Sequence, residues 1–513
     1  MGNQFYPNVQ FKMLSTLVPT SKYSNVQTNH NYYTKQLSTP LQSTIQYQQP
    51  SINYYINDVR YTTHAYRYVN TIQTSVSEDI ITSPFDYIYV KNPLLFRKQN
   101  LIHIPAKVEC SLRSRVSKKM LNNVHEDIEV AIELCLLFSS LLTSTYFTWI
   151  NGKNEEGWKS LKSDYLRELF KVEINTYKAI REVLENGLKC DNIIECDHKS
   201  AIGLKCFGHR LGEEYLGKGV KPYELQTNQV KLIWKNNQER IFNQSFENPI
   251  CRNLIDFYPS LELPTYEEAF IRSKEMVKNG HTTKKGKKLK SLGKHNKNYF
   301  KDPAKYSFVE DGLATYKYLT ESGLMMPRVG NEYSGGRIID SLALMPSYFR
   351  SMITINGEPV VECDFSCLHP NIAIATYGGS IEFLTHQKIA DELNIDLKQV
   401  KIEHLSFFNK HPKDMERSPL YQYYISKEPE MMKKMIKEKY NSFRKYKITS
   451  QNMFEKEVEI MTDVILQLSK ESIRVGYVYD ALLCNPNDAL RVKEVMDDIV
   501  LKHGVKTTAK IGT

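Results

Sequence analysis

Acidic residues are missing from the first 57 positions, and no arginine precedes Arg60. Gln, Asn, Ser, Thr and Tyr stand in their place. Such a composition buries too little apolar surface to offset chain entropy, so residues 1–110 are expected to form a polar, partly disordered segment. An acid-poor start is a transit-peptide trait, but the absent arginine argues against that reading, and no secretory signal is visible. Long hydrophobic runs are absent too. The most apolar stretch, Leu134 to Ile150, is broken by Ser and Thr and preceded by Glu133. It reads as a buried helix and no membrane span is expected. The nine cysteines form no regular framework, so mostly free thiols in a reducing compartment are expected.

What is present suits a soluble globular protein. The 513 residues imply two to four domains, and a hydrophobic share of 41% with 25% charged residues allows ample core. A net charge of +10 points toward a polyanionic partner, nucleic acid first. The 33 Tyr and 21 Phe would serve base stacking or a core equally well.

The chain is organised around GEPVVECDFSCLHPNIAIATYGG, residues 357–379. An apolar run, Pro359-Val360-Val361, leads to Asp364, and a small apolar segment follows Pro370. This predicts a buried strand ending in a carboxylate, then a turn and a helix. A lone acid there costs desolvation energy unless a cation or donor meets it. Asp480, in VGYVYDALLC, repeats the pattern. Two carboxylates on separate buried strands are the minimal equipment for two divalent metal ions.

Three further regions are expected. Over 111–230 the pattern predicts a long helix from Asp127 to Trp149, a short one from Leu161 to Phe170 and a third from Asn175 to Glu185, stopped at Gly187. Strands over 192–195 and 221–225 would then pair as a wing, giving the order of a winged-helix module. Between them Cys196, His198, Cys206 and His209 could converge on zinc, though their spacing is not that of a standard finger, and exposed wing residues are the competing reading. Residues 231–325 read as a helical, thumb-like region. It carries a basic arm at 281–300, in which Lys284, Lys285, Lys287, Lys288, Lys290 and Lys294 would follow a phosphate backbone by counterion release. Residues 326–513 hold the two aspartates. Arg337 and Arg350 lie in or beside Gly-rich turns ahead of them, where arginines could grip phosphates or a primer strand.

At this point the motifs carry a resemblance. YFRSMITINGEPVVECDFSCLHPNIAIA resembles motif A of the family A DNA polymerases and of the phage-type single-subunit RNA polymerases. Its Leu-His-Pro-Asn-Ile also resembles the corresponding family B motif. VGYVYDALLC resembles motif C of family A, with Tyr479 in place of His and Ala481 in place of Glu. The LENGL, NIIECD and KPYEL segments resemble the wings of plasmid and phage replication proteins. Over residues 325–513 the chain is most similar to compact family-A-like palm proteins of phages, plasmids and prophages.

The resemblance implies an α+β fold. It would be a polymerase palm, an antiparallel sheet with helices and small fingers, preceded by a mostly helical, winged-helix-like domain. It implies a DNA-directed DNA polymerase of a virus or mobile element, with a single-subunit RNA polymerase or primase as one alternative and a non-catalytic replication initiator as another. Asp364 and Asp480 would hold two Mg²⁺, or Mn²⁺, with the carbonyl of Phe365 as a further ligand. A cation must also meet the triphosphate. Lys401, with Lys398 beside it, is one candidate. Lys437 is the other, because Lys437-x3-Asn441-Ser442 matches the family B pattern. His369, five residues after Asp364, occupies the place of the bulky residue that blocks a ribose 2′-hydroxyl, which argues for deoxynucleotides. On the helix predicted over 451–468, Glu455 or Glu459 is the candidate to face the site. No carboxylate pattern of a proofreading exonuclease is visible over 1–250. The implied partners are template-primer, nucleoside triphosphates and other replication proteins. The implied location is the cytoplasm, of a host if the chain is viral, or an organelle.

Overall fold

The computed structural model describes residues 52–56, 59–63, 100–150, 156–170, 174–189, 191–199, 206–283, 286–292, 302, 304–321, 325–331 and 334–512. The disorder expected over 1–110 falls mostly outside them, as do Lys284, Lys285 and Lys294. The chain divides into two units, Met1–Asp79 and Ile80–Thr513. The described part of the first is an antiparallel pair, β1 (Ile52–Ile56) and β2 (Val59–Thr63).

The second unit mixes helices with small sheets around two apolar cores. The first core begins at β3 (Leu101–Pro105), buried throughout. Next comes α1 (Ile128–Ser140), whose first turn is capped by Asp127, its carboxylate accepting from the N–H of Glu129 and Val130. The single helix expected over 127–149 is broken, and α2 (Thr143–Ile150) starts anew. Ser139, Ser140 and Thr143 turn their hydroxyls back onto carbonyls of the preceding turn, which competes with helix continuation. Among the described residues, one span, Ile128–Thr148, which runs across this break, is long and apolar enough to cross a membrane, and 78% of its most apolar 18-residue window is buried inside the protein. Glu133 within it is fully satisfied. Its carboxylate accepts from the Tyr223 hydroxyl (3.0 Å), the Gln226 N–H (2.6 Å), and the N–H (2.9 Å) and hydroxyl (2.5 Å) of Thr227.

After α2 the order is β4 (Lys159–Ser160), α3 (Ser163–Phe170), α4 (Ile174–Asn186), β5 (Ile194–Cys196), β6 (Gly208–Leu211) and β7 (Val220–Glu224). The expected wing is corrected here. β5 pairs with β6, and β6 with β4, while β7 pairs with β3 in a separate sheet. The fully apolar β3 needs a partner, and β7 supplies it. Strand β6 was hidden because its His209 and Arg210 read as loop residues.

Helix α5 (Asn228–Glu247) leaves the first core at Val230 and enters the second at Ile241 and Phe242. There follow α6 (Pro249–Phe257) and α7 (Tyr266–Lys278), the latter opened by a capping box between Thr265 and Glu268. The basic stretch is not a free arm throughout. Its residues form β8 (Lys288–Lys290), parallel to β9 (Tyr306–Phe308), because Leu289 is anchored in the core between two lysines. Lys288 stays exposed, and the Lys290 ammonium lies 3.6 Å from the centre of the Tyr306 ring.

Helix α8 (Val309–Glu321) and a hairpin of β10 (Arg328–Val329) and β11 (Ile338–Ile339) lead to the central strand β12 (Val361–Phe365). Then come α9 (Leu368–Tyr377), α10 (Leu397–Phe407), α11 (Pro429–Asn441) and α12 (Ile448–Lys470). The chain closes with β13 (Gly476–Val478), β14 (Ala481–Cys484), α13 (Ala489–Lys502) and β15 (Ala509–Gly512). The four strands form one antiparallel sheet in the order β13-β14-β12-β15. Helix α6 packs tightly on it. A Cβ at Gly476 would come 2.8 Å from the Phe257 ring.

Asp340 lies in this second core. Its carboxylate accepts from the Ala343 N–H (2.8 Å) and the Tyr258 hydroxyl. Burial outweighs these bonds and the Arg350 charge, and lifts its pKa to about 6. The folded protein therefore holds a proton that the unfolded chain releases near pH 4, so this group's contribution to stability falls as pH rises through about 6. Asp340→Asn should flatten that decline by on the order of 3 kcal/mol between about pH 4 and pH 7, read by urea unfolding. Equal pH slopes in variant and wild type would contradict the assignment.

Candidate active site

β12 alternates. Cys363 and Phe365 point into the core, while Asp364 is exposed on the opposite face. The Cys363 thiol lies 3.6 Å from the Ala489 carbonyl, which seats the strand on α13. Asp364 stands opposite Ala481 on β14 and opposite Lys510 on β15.

Asp480 is the residue before Ala481. It sits in the two-residue turn, Tyr479-Asp480, that joins β13 to β14, and its carbonyl accepts from the Phe365 N–H at 3.4 Å. Asp364 thus lies on a strand and Asp480 in the turn leading into the neighbouring strand, one register step away, where two strand-borne carboxylates were expected. Tyr479 takes a φ of 61° to make the turn, a left-handed conformation that is strained for a bulky residue. Burial and the Glu457 carboxylate push the Asp480 pKa above the ordinary carboxylate range, while His369 and Arg337 pull it down. A half-buried acid beside further carboxylates is electrostatically short of cation, and hard oxygen donors in that state fit Mg²⁺. Phe365, the expected source of a third ligand, has its ring in the core.

Three residues form a network beside Asp480, centred on the fully buried Glu457. The Arg337 guanidinium donates to both carboxylate oxygens of Glu457, 2.8 Å at Nε. His369 Nε2 lies 2.7 Å from the same carboxylate and 3.0 Å from Arg337. Arg337 also stacks 3.7 Å over the Phe454 ring, whose edge meets His369 at 5.5 Å between centroids. Gly335 permits the approach. Its φ is +63°, and a Cβ there would fall 2.5 Å from that of Phe454. Arg337 is therefore turned inward, onto protein, and away from the nucleic-acid surface expected for it.

The glutamates expected to face the site do not. Glu455 lies 3.4 Å from Arg444 and Glu459 lies 3.0 Å from Lys456, whereas fully buried Glu457 reaches the network. Arg350 is buried too. Its Nη1 donates to the carbonyls of Leu342 (3.2 Å) and Met345 (2.8 Å), so that nitrogen is turned to the chain where a nucleotide contact was expected, while its buried Nε has no hydrogen-bond partner among the described residues.

The lysine candidates divide by place. Lys401 and Lys398 are exposed on α10. Lys398 lies against the basic stretch, where a Cβ on Gly286 would come 2.9 Å from its ammonium. Lys401 and Lys510 both act on His386, whose pKa burial and these two charges hold down to about 4. Both lysines are thus within electrostatic reach of His386. Lys437 is exposed on α11. Its neighbour Lys439 is buried, donating to the carbonyls of Phe408, Lys410 and Tyr446. Lys510 was not foreseen; an exposed Lys alternating with buried Ala509 on a terminal strand was its only signal. A groove of about 710 Å³ lies apart from the site, beside α7, and its Glu262, Glu268 and Glu275 do not suit a polyanion.

No family model matches this chain, and no curated protein matches it. Among solved structures, it is similar to the POL domain of Pol1 from M. smegmatis in complex with DNA primer-template and dNTP. The two are 11% identical with a TM-score of 0.34, over 55% of this chain and 73% of that one.

Proposed function

We propose that this chain is a template-directed nucleotidyltransferase, a DNA polymerase of a virus or mobile element. One observation carries the reading: Asp364 on β12 and Asp480 in the turn that leads into the neighbouring β14 sit one register step apart, with Lys510 opposite Asp364. These carboxylates, with the Phe365 carbonyl, would hold Mg²⁺. When bound, the metal supplies Lewis-acid polarisation and charge neutralisation for displacement of pyrophosphate. Lys401 would meet the triphosphate, with Lys437 as the alternative, and Lys510, opposite Asp364, would join it. His369, pinned by Glu457 and Arg337, would stand against the sugar as a fixed ring.

The helix, helix, strand, helix, helix, strand, strand order over 128–211 supports a winged-helix reading of the first core, with a role in binding or orienting nucleic acid. Exposed Lys288 and Lys398 support a basic path toward the palm.

Extension of a primed DNA template with Mg²⁺ and dNTPs tests the proposal. The wild type should extend with dNTPs in preference to NTPs, and His369→Gly should raise NTP use about tenfold. An unchanged sugar preference would remove His369 from this role. Extension with NTPs only would favour the RNA polymerase reading. No incorporation with either, together with tight binding to one duplex sequence, would favour the initiator.

A further inference from the structure

The first core contains a second cluster of donor atoms, remote in sequence from the two aspartates. We propose that Glu185, Cys196 and His209 bind one divalent transition-metal ion, with zinc the best match to their chemistry. Glu185 comes from the last turn of α4. Cys196 ends β5, and His209 is its direct cross-strand partner on β6. A carboxylate oxygen, the thiol sulfur and an imidazole nitrogen all lie within 4.8 Å of one another. Tetrahedral zinc spaces such donors about 3.3–3.8 Å apart, so side-chain rotation must draw the three together to complete the set.

The second observation is independent of that spacing. His209 is fully buried, and neither of its ring nitrogens has a hydrogen-bond partner among the described residues. Glu185 Oε1 has none either. A buried polar atom without a partner carries an uncompensated desolvation cost, which a bound metal would offset. A thiolate, an imidazole and a carboxylate together select zinc over magnesium or calcium. His198 Nε2, 3.7 Å from Glu185 Oε2, is the natural fourth donor; a water could take that place instead. Arg181, 3.6 Å from Glu185 Oε1, is the competing cation, so the metal must displace it from the carboxylate. This set differs from the zinc set expected from sequence. Glu185 enters from the helix and Cys206 is not in the cluster.

The metal would tie α4 to the β5–β6 hairpin, fixing the hairpin against the helix pair. The test uses the full chain, purified from zinc-supplemented culture without chelators, with metal read by elemental analysis. The expected result is about one zinc per chain in the wild type, Cys206→Ser and Asp364→Asn, and its loss in Cys196→Ser and His209→Ala. Cobalt loading should give a sulfur-to-cobalt charge-transfer band that Cys196→Ser abolishes and Cys206→Ser keeps. If the Cys196 and His209 variants do not fold, the wild-type band and its persistence in Cys206→Ser still decide the matter. A metal-free wild type, or zinc retained in folded Cys196→Ser and His209→Ala, would overturn the proposal. No readout depends on nucleotide incorporation, so the outcome is separate from that of the polymerase reading.

Discussion

Asp364→Asn and Asp480→Asn should each lower primer extension about a thousandfold or more. Stability should barely change. Asp364 is exposed, and its replacement removes one surface charge opposite Lys510. Asp480 is held above its ordinary pKa by burial and by Glu457, so the uncharged amide relieves a repulsion. Neither change reshapes the strands, because the turn at Tyr479-Asp480 is set by backbone pairing from Val478 to Ala481. Loss of incorporation with an unchanged urea midpoint would therefore report chemistry and not folding. If either variant extends primers at wild-type rates, the two-carboxylate site is wrong.

The largest stability effect is expected at Glu457. Glu457→Ala should cost about 3–5 kcal/mol, because it leaves the buried Arg337 guanidinium without its counter-charge. The cost comes from the stranded cation more than from the lost bond. Pairing Glu457→Leu with Arg337→Met should thus recover much of it, since neither ion then remains to be desolvated. The sign of the pH dependence follows. Burial acts to raise the Glu457 pKa, but His369 and Arg337 override it and hold the carboxyl below its ordinary range. Its contribution is present above the unfolded pKa, near 4, and is lost as pH falls through the lower folded value. Urea titrations of the single and double variants measure both effects. A single variant as stable as wild type would show that Arg337 finds another partner.

The strand bearing Asp364, the helix after it and the hairpin bearing Asp480 were legible because local chemistry forces them. An apolar β-branched run that ends in a lone acid has few other uses. Helix α12 was legible from its stripe, but its functional face was not. Positions 454 and 458 and positions 453 and 457 lie on adjacent stripes of one helix. Which stripe meets the site depends on the loop that Gly335 presses against it. An acid on the stripe of Met453, Ile460 and Val464 was the available signal for Glu457. The pairing of β7 with β3 was illegible for another reason. It joins Leu101 to Glu224 across the whole first core, and no local pattern specifies a partner that distant. Arg350 and Lys439 show the limit of reading cations one by one. Whether a basic side chain meets a ligand or the chain's own carbonyls depends on burial, which spacing alone does not give.

Helix α5 has a mechanical consequence. It is 20 residues long, so it spans about 30 Å, and its two ends are embedded in different cores. An unbroken helix resists bending, and proline is absent between Asn228 and Glu247. The two cores are therefore joined by a strut and not by a tether. A load applied to the first core would reach the sheet carrying Asp364 as a rigid displacement. For the same reason the cores should lose structure together, since neither can melt without releasing one end of the shared helix.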